Sequence, residues 1–179
     1  MSASPPQLGY VAVGMTDSQQ RMFLQLQAGI INESKMTGLG YSTDPHVILY
    51  CGLGEEFDAD SVRAALRDPA PAVATAGVVR VNKSTNQEDD ADCVVLTLRS
   101  PDILRMRTRL LEAIGADLIG DDFSPSVIIA YVQPNSHDYV DGMDVADTDW
   151  LFDELLIKTH NLQTSQTFQL NSEEDDDDD

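Results

Sequence analysis

The sequence predicts an α+β fold: one two-lobed domain of pseudo-symmetric antiparallel sheets with helices on their outer faces. Three observations lead there. A strand motif occurs twice, Pro45-His46-Val47-Ile48-Leu49 returning as Pro125-Ser126-Val127-Ile128-Ile129, a shift of 80 residues in a chain of 179. The apolar period switches between two and 3.6 residues in the order βαβ-αββ-αβ-ββ, which suits antiparallel sheets covered by helices. The length fits one domain able to bury a core. The expected division is an N-terminal arm over 1–6, one two-lobed domain over 7–170 and an acidic tail over 171–179.

The elements follow in order. Gln7 to Met15 alternates like a first strand, and Thr16-Asp-Ser-Gln19 fits a capping box for the next helix. That helix is expected to bury Met22, Phe23, Leu26 and Ile30 on one face. Glycines at 38 and 40 mark a loop, and the first motif strand runs from Pro45 to Leu53. Asp58 or Asp60 caps a short helix with Val62, Ala65 and Leu66 inward, ended by Pro69 and Pro71. Ala74–Val81 and Cys93–Leu98 read as a hairpin across the polar loop from Asn82 to Asp92. Ser100-Pro101-Asp102 starts a helix with Ser as N-cap and Pro at N1; Ile103, Met106, Leu110 and Ile114 form its stripe and Gly115 suits its end. The second motif strand spans Pro125 to Val132. Pro134–Asp149 reads as an irregular acidic loop, and Phe152–Thr159 with Thr164–Leu170 as a closing hairpin. The tail is expected to be disordered, because like charges repel and nothing apolar is there to bury.

Charge excludes some partners. The net charge is −20, and 173–179 contributes seven negative charges, leaving about −13 on the rest. Such a body should repel nucleic acid and favour a protein with a basic surface. No apolar run reaches the length of a membrane span, and Met1-Ser-Ala-Ser-Pro-Pro lacks the pattern of a secretory signal. Cys51 and Cys93 lie in apolar strands without metal-ligand spacing, so buried free thiols are expected. Neither a metal nor a cofactor is expected.

The two motifs, in their contexts Asp44-Pro-His-Val-Ile-Leu-Tyr-Cys-Gly-Leu53 and Phe123-Ser-Pro-Ser-Val-Ile-Ile-Ala-Tyr-Val132, resemble the paired signatures of the 2H phosphoesterase superfamily. The resemblance covers residues 7 to 170. It implies a two-lobed fold in which each lobe supplies His-x-Thr/Ser. Two histidines then serve as base and acid on opposite sides of the phosphorus, and two hydroxyl residues hold the phosphate oxygens. Carried onto this chain, the four positions are His46, Ile48, Ser126 and Ile128, and only His46 is retained. Serine is no acid or base near neutral pH. The two isoleucines are expected to line the cleft floor and keep the two-lobed core, where a phosphate would lose water without gaining hydrogen bonds.

The resemblance therefore implies a degenerate member without a catalytic set: a non-enzymatic binding or structural protein. By family analogy it is expected to be phage-encoded, a head decoration or accessory protein of the virion. It would act in the virion or host cytoplasm, or otherwise in the cytoplasm. Its tail, Glu173, Glu174, Asp175, Asp176, Asp177, Asp178 and Asp179, would dock on a basic partner such as a capsid protein. The competing expectations are a 2′,3′-cyclic phosphodiesterase or RNA-end phosphoesterase working from His46, and a cyclic-nucleotide-sequestering protein. Among other candidates, His137 and His160 are expected to be solvated loop residues, and Tyr50 and Tyr131 half-buried packing residues. Asp89, Asp90 and Asp92 lack the pattern of a calcium loop. Arg99, Arg105, Arg107 and Arg109 read as an exposed helix face. Ser126 has no nucleophile elbow around it.

Overall fold

The computed structural model of the chain describes residues 9–66, 70–84, 91–116, 122–158 and 165–170. The expected arm, the acidic tail, Asp89, Asp90 and His160 lie outside the described residues. Two antiparallel sheets carry the fold. The first has the order β3-β1-β8-β9, from β3 (His46–Leu53), β1 (Gly9–Gly14), β8 (Glu154–Lys158) and β9 (Ser165–Gln169). The second has the order β2-β6-β5-β4-β7, from β2 (Gly40–Tyr41), β6 (Ser126–Val132), β5 (Asp92–Arg99), β4 (Ala72–Asn82) and β7 (Asp149–Phe152). Helix α1 (Asp17–Ser34) covers the second sheet, its Phe23 ring lying edge-on to Trp150 of β7 at 5.3 Å. Helices α2 (Ala59–Leu66) and α3 (Pro101–Ile114) pack together against β3 and β8 of the first, with α3 also meeting β4 of the second. The α+β class, two lobes and outer helices are as the sequence predicts. Among the described residues no helix is long and apolar enough to cross a membrane.

Local chemistry explains the helices. Ser100 Oγ accepts from Ile103 N at 3.1 Å, Pro101 opens the first turn, and Gly115 closes α3 at φ 69°. Helix α1 starts at Thr16, but the capping box does not form. Thr16 instead turns to a buried carboxylate: its N–H donates to Asp153 Oδ1 at 2.9 Å and its hydroxyl to Oδ2 at 3.1 Å. A charged acceptor at a helix N-terminus outcompetes the reciprocal side-chain cap. The buried stripe of α1 is Phe23, Gln27 and Ile30, while Met22 is 51% exposed. Gln27 takes a core place because it has backbone carbonyls to serve.

Three further differences concern the sheets. The expected strand from Phe152 to Thr159 is two strands: the chain leaves the second sheet after Phe152 and enters the first at Glu154. It turns at buried Asp153, whose N–H donates to Gly14 O at 3.1 Å. The two-residue β2, too short for a periodicity, pairs with Ala130 and Tyr131. The acidic loop from Pro134 contains a 3-10 turn at Asp138–Val140 and a bridge between Val78 and Asp144.

The 80-residue shift extends beyond the motif. In β3 the pairing with β1 skips Leu49, and in β6 the pairing with β5 skips Ile129, so both motif strands bulge at the equivalent residue. Each bulge carbonyl accepts from an overlying helix: Leu49 O from Arg107 Nε at 3.0 Å, Ile129 O from Gln27 Nε2 at 2.7 Å. Gln27 and Arg107 are again 80 apart, as are the left-handed residues that end α1 and α3, Lys35 at φ 53° and Gly115. Helix, cap, loop and bulged strand thus form one unit used twice.

Candidate functional site

The motif strands meet along one cleft between the sheets. In each, alternate side chains face opposite ways. Val47 and Leu49 of β3 and Val127 and Ile129 of β6 are buried in the core. The intervening positions turn to a cavity of about 220 Å³, which collects Asp44, His46 and Ile48 from one lobe and Ser124, Ser126 and Ile128 from the other. These are equivalent triads, each member 80 residues from its counterpart. The wall is completed by Asn82, Cys93 and Val95 of the second sheet, with Ser42, Val47 and Phe123. All four positions singled out by the resemblance therefore converge.

Ile48 and Ile128 are cleft residues and no part of the core: Ile48 is 38% exposed and Ile128 half-buried. They coat the floor with methyl groups, as expected, but add little to holding the lobes together. Phe123 is braced by the Arg107 guanidinium, 4.2 Å from its ring centroid. That guanidinium also holds the Leu49 bulge, so Arg107 is structural and leaves the exposed face expected of it. Arg99 and Arg105 do lie on the surface, paired with Asp147 and Asp102.

His46 is oriented by its own loop. Its Nδ1 lies 2.7 Å from Asp44 O. A carbonyl only accepts, so Nδ1 carries a proton, and in the neutral ring Nε2 is left as an acceptor. The Tyr10 ring lies parallel to the imidazole, 6.2 Å between centroids, and Lys158 Nζ is 5.6 Å from the Tyr10 centroid. Cross-strand from His46 stands Gly14, and beyond it Glu154. A Cβ at Gly14 would come within 2.6 Å of Leu156 Cδ1, so the glycine admits the leucine. Burial pushes the Glu154 carboxyl up, and Asp153, Asp17 and Asp44 add to the shift. Negative charge is thus concentrated at the His46 end.

The other reactive side chains are placed as follows. Burial raises the Cys93 thiol, which keeps it protonated and a poor nucleophile. Cys51 is exposed, contrary to the expectation of burial, because it lies past the bulge, opposite Tyr10. Tyr50 is half-buried against the core and Tyr131 is exposed, and neither lines the cavity. His137 is buried, not solvated: Nε2 accepts from Thr37 N at 3.1 Å and Nδ1 meets Ser136 Oγ. Asp92 is a buried carboxylate serving Asn135 N at 2.8 Å, Ser84 N at 3.2 Å and Lys83 Nζ at 3.1 Å, which occupies it fully. Among the described residues no cluster of His, Cys, Asp or Glu is arranged to hold a metal.

Asp44 and Ser124 are the site residues that motif reading missed. Each stands two positions before a motif residue, so the strand period of two places it on the cleft face. Asn82, Cys93 and Val95 arrive from strands without the repeat, and only the pairing of β5 with β6 and β4 brings them in.

No protein-family model and no curated protein matches this chain. Solved structures do. The protein TT0787 of Thermus thermophilus superposes with a TM-score of 0.53 at 14% identity, over 92% of this chain and 98% of that one. LigT of E. coli in its apo form gives 0.53 at 12% identity, over 94% and 96%. LigT complexed with 3′-AMP gives 0.51 at 13% identity with the same coverage. The chain therefore has the LigT-like 2H phosphoesterase fold, as its doubled motif implies.

Proposed function

We propose that this chain is a non-hydrolysing binding protein built on the 2H phosphoesterase fold, its ligand seated between the two motif strands. The observation that carries the reading is the convergence of the two triads. The strand register, the bulges and the cleft are kept, while three of four chemical positions hold Ile48, Ser126 and Ile128. A hydrolase of this design needs acid and base at opposite ends of the scissile bond. His46 can take one role, and Ser126 cannot take the other near neutral pH. The phosphate oxygens would rest on isoleucine methyls, and no Lys or Arg is among the described lining residues. An anion entering there sheds water without replacement hydrogen bonds. The same reasoning disfavours a role in sequestering cyclic nucleotides.

The test is incubation of the purified chain and a His46→Ala variant with 2′,3′-cyclic nucleotides and 2′-5′-linked oligonucleotides. Neither protein is expected to turn them over. Turnover that vanishes with His46→Ala would overturn the proposal in favour of a phosphodiesterase.

A further inference from the structure

Resting on that reading, the cleft can be assigned a ligand class. We infer that it takes a small organic cation: an ammonium group on a compact apolar body, its nitrogen toward Asp44 and His46 and its body on Ile48 and Ile128.

Size comes first. A dry cavity of 150 Å³ suffices for benzene, and drug-sized sites run from about 300 Å³ upward. At about 220 Å³ this half-open cleft has room for a six-membered ring with a short substituent. The floor matches a ring: two isoleucines and Val95, with Phe123 at one side.

Polarity comes second. The described lining contains one carboxylate, Asp44, and no cationic side chain. His46 presents Nε2 as an acceptor, because Nδ1 is committed to Asp44 O. Asp17, Asp153 and Glu154 extend the negative field of Asp44 around the same end, none of them paired with a basic side chain among the described residues; the one cation described nearby, Lys158, lies over the Tyr10 ring and leaves the balance negative. The remaining polar lining is the hydroxyls of Ser42, Ser124 and Ser126 and the amide of Asn82, each of which can accept as well as donate. An ammonium brings three donors and a positive charge to a place furnished with acceptors and negative charge. A neutral alcohol satisfies the acceptors but not the field, and a phosphate opposes both.

The full-length chain should be titrated with benzylamine, benzyl alcohol and benzyl phosphate at neutral pH, followed by NMR of the isoleucine methyls. Opposite charges about 5 Å apart in a half-open site favour the amine over the alcohol by about tenfold. The expected result is that preference, with the Ile48 and Ile128 methyls shifting. It should fall to about twofold or less in Asp44→Asn, an exposed change that keeps the carbonyl for His46. Ile128→Trp should block every probe, with Ile48→Trp serving if the first does not fold. Equal affinity for amine and alcohol, tightest binding of the phosphate, methyl shifts away from the cleft, or no binding of any probe would each overturn the inference. The hydrolysis assay is read independently. Loss of the amine preference without turnover leaves the non-hydrolysing reading standing, and His46-dependent turnover removes it.

Discussion

If the cleft retains the geometry of a two-histidine site and lacks only its side chains, those side chains can be put back. The perturbation is the triple variant Ser126→His, Ile48→Thr and Ile128→Thr. All three positions line the cavity, and none is fully buried. The substitutions therefore remove partial burial only: each Ile→Thr should cost about 1 kcal/mol, against ~1.5–3 kcal/mol for a fully buried isoleucine. Threonine suits a strand as well as isoleucine does. The catalytic gain is larger. An acid–base group contributes ~10²–10⁴-fold, and one donor to a developing oxyanion ~10²–10³-fold. Groups that act as a unit do not multiply fully, so at least ~10⁴-fold over the wild-type rate is a conservative expectation. Ser126→His alone should gain less than ~10²-fold, since the phosphate would still lie on methyl groups. The assay is turnover of a 2′,3′-cyclic nucleotide, with His46→Ala added to the triple variant as the control that should abolish it. A folded triple variant without His46-dependent turnover would refute the reasoning. It would mean that the lobes hold positions 46 and 126 at a separation unsuited to in-line attack.

Other consequences can be measured on the fold itself. Asp92→Ala strips a buried carboxylate from two N–H groups and Lys83 and should cost about 2–4 kcal/mol in denaturant unfolding. Hydrogen bonds from Asn135 N, Lys83 and Ser84 N outweigh burial and hold the Asp92 carboxyl below its usual range. Its stabilisation is therefore complete above the unfolded carboxyl value near pH 4 and fades as pH falls through the lower folded value. Asp92→Asn should flatten acid unfolding in that window, and an unchanged profile would deny it the role. Gln27→Leu removes the side-chain donor from the carbonyls of Ser42 and Ile129, the latter keeping the Ser42 N–H, and should cost about 1–3 kcal/mol, seen as a lowered denaturation midpoint. The buried Trp150 Nε1 meets no acceptor among the described residues, so Trp150→Phe should cost under about 1.5 kcal/mol, whereas Trp150→Ala should cost about 3–5 kcal/mol by opening a cavity beside Phe23.

The parts of this fold legible in the sequence are those governed by local chemistry. Ser100-Pro101 and Gly115 mark α3 because an N-cap hydroxyl, a proline without an N–H and a left-handed glycine are solved within four residues of chain. The motif strands are legible because alternation and a five-residue repeat coincide. What was hidden depends on distant partners. Thr16 abandons its capping box for Asp153, 137 residues away. Phe152 and Glu154 look like one strand, since nothing local records that Asp153 carries the chain from one sheet to the other. His137 looks like a loop residue until the backbone of Thr37 arrives to bond it. At the site, the motif foretold the convergence of His46, Ile48, Ser126 and Ile128, and period two carried Asp44 and Ser124 with them. Asn82, Cys93 and Val95 required the sheet order.

The bulges bear most directly on what the cleft has become. A bulge re-aims the side chains beside it and disturbs the ladder. Here each is fixed by a donor on an overlying helix, Gln27 for one strand and Arg107 for the other. Were the motif strands retained only to close two sheets, neither bulge nor paired donor would be needed, because a regular ladder satisfies its carbonyls by itself. Both lobes keep both features at equivalent positions, while the side chains they aim into the cavity have changed from those the resemblance implies. The architecture presents positions 46, 48, 126 and 128 to one cavity, whatever side chains stand there. That is the structural argument behind the proposed binding role, and the lining of methyls, hydroxyls, one imidazole and one carboxylate sets the chemistry that a ligand would have to match.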